Sequence, residues 1–223
     1  IGLDGNQPVV LDACNDEGKP SPFKIRGRID RVDEVVLEPE MLAQAIADGV
    51  LSASSVSDPM SLSDNPLPPA NRLVVIRDLK TINGPKSGDR GNRHRRGLFD
   101  EVQLALYARA WELHHPGDRV VGIGVTEIGE STEHYLEIDE SVAHYLENSD
   151  LGERTSSSQQ LYRFPNSTSS VQNGFRALIA ERLRTSSRAI DTARNGLVNA
   201  TPGRHYSYNS IRHVYPDMFG GNS

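Results

Sequence analysis

The chain is poor in cysteine, with one in 223 residues, and poor in lysine, with four against 20 arginines. A lone Cys14 excludes an intrachain disulfide framework and any metal cage made of cysteine alone. No apolar run approaches the roughly 20 residues of a membrane-spanning helix. No basic segment followed by an apolar one opens the chain as a secretory leader would. The expected location is therefore the cytoplasm, without a membrane partner. Charged residues at 24% and hydrophobic residues at 36% fit a soluble globular chain. The net charge of -6 argues against a bulk binder of nucleic acid, so positive charge has to be read locally.

Locally it is concentrated. From Arg72 to Arg96 there are eight Lys/Arg and two acids, Asp78 and Asp89. The segment opens with an apolar, β-branched run, Leu73-Val74-Val75-Ile76, which reads as a buried strand over 72–80. A glycine-rich loop follows, carrying Lys86, Arg90, Arg93, Arg95 and Arg96. Upstream, "FKIRGRIDRVDEVVL" (23–37) alternates Phe23, Ile25, Gly27 and Ile29 against Lys24, Arg26, Arg28 and Asp30, the pattern of a strand with one buried face. Gly27 and the Asp30–Glu34 stretch are expected to bend it into a hairpin. "PEMLAQAIADGVL" is a short helical candidate, and 98–115 is a helix with a broad apolar face. Strands are expected over 118–129 and 131–139, the second pairing with the first. Helices are expected in "SVAHYLENSD" and "SVQNGFRALIAERLRTSSRAIDTARNG". The order implies an α/β sheet with a helix packed on it.

Chemistry-bearing residues collect at the ends of these elements. Asp78 and Lys80 lie at i and i+2, so both project from one face of a strand. Gln103 and Tyr107 lie at i and i+4, on one face of a helix. With Asp30 they supply two carboxylates, a lysine, an amide and a phenol. Hard oxygen ligands suit Mg²⁺ or Mn²⁺. A lysine beside such an ion can orient an attacking water and stabilise charge on a phosphoryl group. The basic loop would draw a phosphodiester backbone toward an otherwise acidic site. Plainer roles exist for each: Asp30 and Asp33 as turn caps, Asp78 and Lys80 as a surface ion pair, Gln103 and Tyr107 as the polar edge of a core helix.

The succession "GRIDRVDE", "VVIRDLKT", "DEVQLALYARA" resembles the nuclease domain of the RecB/AddB branch of the PD-(D/E)xK superfamily. The resemblance spans about Pro8 to Glu127. It implies a restriction-endonuclease-like mixed sheet flanked by helices over 1–139, with a helical C-terminal appendage over 140–223. It implies metal binding by Asp30, Asp78 and the Leu79 carbonyl, a catalytic role for Lys80, and a positioning role for Gln103 and Tyr107. Asp12 in "PVVLDAC" is the counterpart of a further acid on the preceding strand. The implied activity is Mg²⁺- or Mn²⁺-dependent DNA hydrolysis in repair or recombination, by an exonuclease rather than a sequence-specific endonuclease. DNA is the implied partner, with a helicase subunit or domain as a further one.

Two departures qualify this. The branch usually carries a metal-binding histidine on an upstream helix, and no histidine precedes His94. That helix is expected either to lie upstream of Ile1 or to be lost. Many relatives end in a cysteine run holding an iron–sulfur cluster. Here "YSYNSIRHVY" sets Tyr206, Asn209 and Tyr215 in those places, none able to replace thiolate on iron, so no cluster is expected. A catalytically impaired domain that holds DNA or a partner is the alternative. An unrelated metal-dependent phosphatase would leave the Gln-x-x-x-Tyr helix and the basic loop unexplained.

Overall fold

A computed structural model describes residues 8–64, 66–81, 102–129, 132–147, 149, 159–164 and 174–196. Two strands, β1 (Val9–Leu11) and β2 (Phe23–Ile25), form a small antiparallel sheet with Leu11 opposite Phe23. The reversal between them is set by Asn15, whose Oδ1 accepts from the amides of Glu17 and Lys19, and by Gly18 at φ 73°. The main sheet has five strands in chain order: β3 (Arg31–Glu34), β4 (Arg72–Thr81), β5 (Asp118–Ile128), β6 (Thr132–Asp139) and β7 (Gln159–Phe164). Pairing is antiparallel for β3–β4 and β5–β6 and parallel for β4–β5 and β6–β7. The expected mixed α/β sheet with helices is present. No helix among the described residues is long and apolar enough to cross a membrane.

β4 is buried from Leu73 to Ile76 on both faces, as its continuous apolar run requires. Leu73 and Val75 join Ala45, Leu51, Leu136, Ile138 and Tyr145 in one core. Helix α1 (Pro39–Ala47), with proline in its first turn, contributes Ala45. Val74 and Ile76 face the other way, and by strict alternation Asp78 and Lys80 share their face. Helix α2 (Gln103–His114) packs on β4, β5 and β1. A 3₁₀ turn (Glu140–Val142) leads into α3 (Ala143–Glu147), and α4 spans Gly174–Arg194.

Charges hold several of these packings. Arg72 and Asp118, register partners at the start of β4 and β5, form a two-pronged pair at 2.9 and 2.7 Å, and Trp111 donates its indole N–H to the same carboxylate at 2.9 Å. Deeper, Glu112 on α2 is fully buried. Its carboxylate accepts from the Val120 amide at 3.1 Å, from Arg109 at 3.2 Å and from Arg176 of α4 at 2.6 Å. Arg109 reaches on to Asp12 beyond β1.

Two expectations change. The 23–37 stretch is not a hairpin: β2 pairs with β1 and β3 with β4, and residues 26–30 link two sheets. Alternation reports a buried face and says nothing of the hydrogen-bonding partner. The segment after 139 is not all helical, because β7 adds a fifth strand beside β6. By compactness the chain divides into two units, Ile1–Ser187 and Arg188–Ser223. In the second unit the described residues, 188–196, are the end of α4 and a turn with Gly196 at φ 69°.

Candidate functional site

The β3–β4 register pairs Arg31 with Arg77. One step further along this antiparallel ladder sets Asp30 opposite Asp78, on the same face of the sheet. The ladder has ended there, and the Asp30 side chain takes over its function: Oδ2 accepts the Leu79 backbone N–H at 3.1 Å. Asp30 is exposed. Asp78 is largely covered, at 18% side-chain exposure, and its Oδ2 lies 2.7 Å from Lys80 Nζ. Asp30 therefore contacts β4 at the residue next to Asp78, the acid with which Lys80 is paired.

Gln103 and Tyr107 rise from α2, and Gln103 Nε2 donates to the Tyr107 hydroxyl at 3.3 Å. Tyr107 lies directly over Gly27. A Cβ on that glycine would sit 2.4 Å from the hydroxyl oxygen and 2.8 and 2.9 Å from ring carbons. The spacing of Gly27 and Asp30 thus has a physical account. The glycine leaves room for the phenol, and three residues later the aspartate fastens the same loop to β4. Gly27→Ala is expected to cost about 1–3 kcal/mol by overpacking. In a Tyr107→Ala background that cost should vanish, and equal costs in both backgrounds, measured by urea unfolding, would refute the contact.

Of the residues expected at the site, Asp30, Leu79, Asp78, Lys80, Gln103 and Tyr107 fall into these linked contacts. Leu79 meets Asp30 through its amide. Asp12 stands apart: its carboxylate is paired with Arg109, which is 2% exposed. Burial opposes the Arg109 charge, but Asp12 and then Glu112 outweigh it and hold the guanidinium above its usual range. The role of Asp12 here is to neutralise a buried cation. Asp33 likewise serves cations, Arg31 at 2.7 Å and Arg77 at 2.6 Å. Lys86, Arg90, Arg93, Arg95 and Arg96 lie outside the described residues, as do Tyr206, Asn209 and Tyr215.

One residue escaped the sequence reading. Glu127 on β5 is the register partner of Lys80, on the same face, and is 2% exposed. The available signal was an acid inside the apolar run "RVVGIGVTEI". Among the described residues no three His, Cys, Asp or Glu side chains converge as a set able to hold a metal. Asp30 and Asp78 remain a pair of hard oxygen donors, which fits Mg²⁺ or Mn²⁺, ions that take one or two carboxylates and keep several waters. No protein-family model, curated protein or solved structure matches the chain.

Proposed function

We propose that this chain is a divalent-metal-dependent DNA nuclease with a restriction-endonuclease-like core, of the RecB/AddB-like branch of the PD-(D/E)xK superfamily. The observation that carries the reading is the contact of Asp30 with the Leu79 amide, next to Asp78 on β4, with Lys80 2.7 Å from Asp78. The β4–α2–β5 crossover, with Gln103 and Tyr107 on its helix, is compatible with that core.

In this reading Asp30 and Asp78 hold the ion, with the Leu79 carbonyl as a further donor. The ion, when bound, supplies Lewis-acid polarisation of a phosphoryl oxygen and a more acidic water. Lys80 donates hydrogen bonds to the attacking water or to a non-bridging oxygen as charge grows there. Asp78 also pairs with Lys80 at 2.7 Å and so would hold the lysine beside the ion. Tyr107, fixed by Gln103 and Gly27, orients the scissile phosphate by its hydroxyl. Lys86, Arg90, Arg93, Arg95 and Arg96 attract the DNA backbone, and a helicase subunit or domain is a partner compatible with this activity.

The test is incubation of labelled linear single- and double-stranded DNA with the protein and Mg²⁺, Mn²⁺ or EDTA. Cleavage with either ion, abolished by EDTA and by Asp78→Asn, is the expected result. DNA bound but uncut under every condition would instead establish the alternative, an impaired nuclease-like binding module.

A further inference from the structure

We propose that Lys24, Arg26 and Arg28 form a backbone-binding track for a single DNA strand, leading along one segment into the site at Asp30; this rests on the nuclease reading above. Exposure alternates along the segment. Lys24, Arg26, Arg28 and Asp30 are exposed, whereas Phe23 is buried and Ile25, Gly27 and Ile29 are half-buried. Lys24 in β2 and Arg26 and Arg28 in the link that follows thus make a closely spaced run of exposed cations ending at Asp30.

Their electrostatic state sets them apart. In this acidic chain the other described cations are engaged almost throughout: Lys19 with Glu17, Arg31 and Arg77 with Asp33, Arg72 with Asp118, Lys80 with Asp78, Arg109 and Arg176 with Glu112, Arg182 with Glu181, and Arg194 with Asp191. Arg119 donates to the Pro68 carbonyl. Among the described residues Lys24, Arg26 and Arg28 have no such partner, a state they share with Arg184. Across the ladder, Lys24 faces Val10, an exposed apolar residue, so no acid stands ready there.

The row is also held in place at three points. Phe23 of β2 is buried, Gly27 lies under Tyr107, and Asp30 is bonded to the Leu79 amide. Three unpaired charges on a segment anchored to the site are placed to hold a polyanion, and their single line fits one strand better than the two rails of a duplex. Contacts of this kind neutralise phosphates and release counterions, so they raise affinity without selecting sequence.

The experiment measures binding of a short labelled single-stranded deoxyoligonucleotide by fluorescence anisotropy in EDTA across a salt series, with cleavage of the same DNA in Mg²⁺ or Mn²⁺ assayed separately. Replacing Lys24, Arg26 and Arg28 by serine should flatten the log–log salt slope by about two units, at about 0.7 per phosphate. The single variants Arg26→Ser and Arg28→Ser should each remove about 0.7, which keeps the test decisive should the triple variant not fold. Arg26→Lys with Arg28→Lys should preserve the slope, because charge and not guanidinium shape is what matters. Cleavage by the wild type together with an unchanged slope in the serine variants overturns the track and leaves the nuclease reading standing. Absence of DNA binding by the wild type overturns both.

Discussion

Lys80→Ala is expected to lower turnover by about 10²-fold or more, near 3 kcal/mol of transition-state stabilisation, while DNA affinity changes little. The reasoning begins with exposure. The Lys80 side chain is 53% exposed, and its recorded ion partner is Asp78 at 2.7 Å. With its lysine end in solvent and its aspartate end largely covered, the pair contributes on the order of 1 kcal/mol to folding, so the variant should remain folded. On the nuclease reading proposed above, what is lost is the cation paired with Asp78, where a phosphoryl group in transition would gather charge. One ammonium adds little to ground-state attraction beside a basic loop and the Lys24–Arg28 row. Single-turnover kinetics at saturating DNA check this. A fall in affinity equal to the fall in rate would make Lys80 a phosphate anchor and would favour the binding-module alternative.

Glu112→Ala is expected to destabilise the fold by about 3–5 kcal/mol, the usual cost of removing one partner from a buried charge pair. For a chain of this size that corresponds to a fall in Tm of roughly 6–20 °C. Glu112 is fully buried and receives Arg109, Arg176 and the Val120 amide. Alanine would leave Arg176, 1% exposed, without its carboxylate, and would open a cavity inside α2. Arg109 would keep Asp12 and suffer less. Glu112→Gln should fall between, because an amide oxygen can still accept from Val120 and one guanidinium but carries no charge. A loss under about 1 kcal/mol for the alanine variant, measured by denaturant titration, would mean that water reaches this network.

Legibility in the sequence depended on whether a residue's partner was local. The β4 strand was plain in Leu73–Ile76 and the α2 helix in the apolar face running to Trp111, because both signals lie within a dozen residues. Asp78 with Lys80, and Gln103 with Tyr107, could be placed on one face for the same reason. The meeting of Asp30 with Leu79 spans 49 residues and entered only through a resemblance in motif order. Asp12 shows the limit: its position upstream of the glycine motif suggested an ion ligand, yet its partner Arg109 is 97 residues away. The short β7 strand was equally silent, since a six-residue parallel edge takes its partner from β6 and not from its own pattern. For Lys24, Arg26 and Arg28 the alternation was visible, but their lack of counter-ions emerges only once the other pairs are known.

The Glu112 network also imposes an order of events on a chain emerging from the ribosome. Asp12 is made early, Arg109 and Glu112 near the middle, and Arg176 64 residues after Glu112. Until Arg176 arrives, docking α2 would bury a carboxylate that lacks its closest cation. The helix can form on local propensity but gains little from burial, so final packing of the core waits for α4. Contacts so distant in sequence slow folding, because loop closure has to precede any gain from them. A nascent chain that stops short of α4 would thus hold α2 loosely, its apolar face open to chaperones.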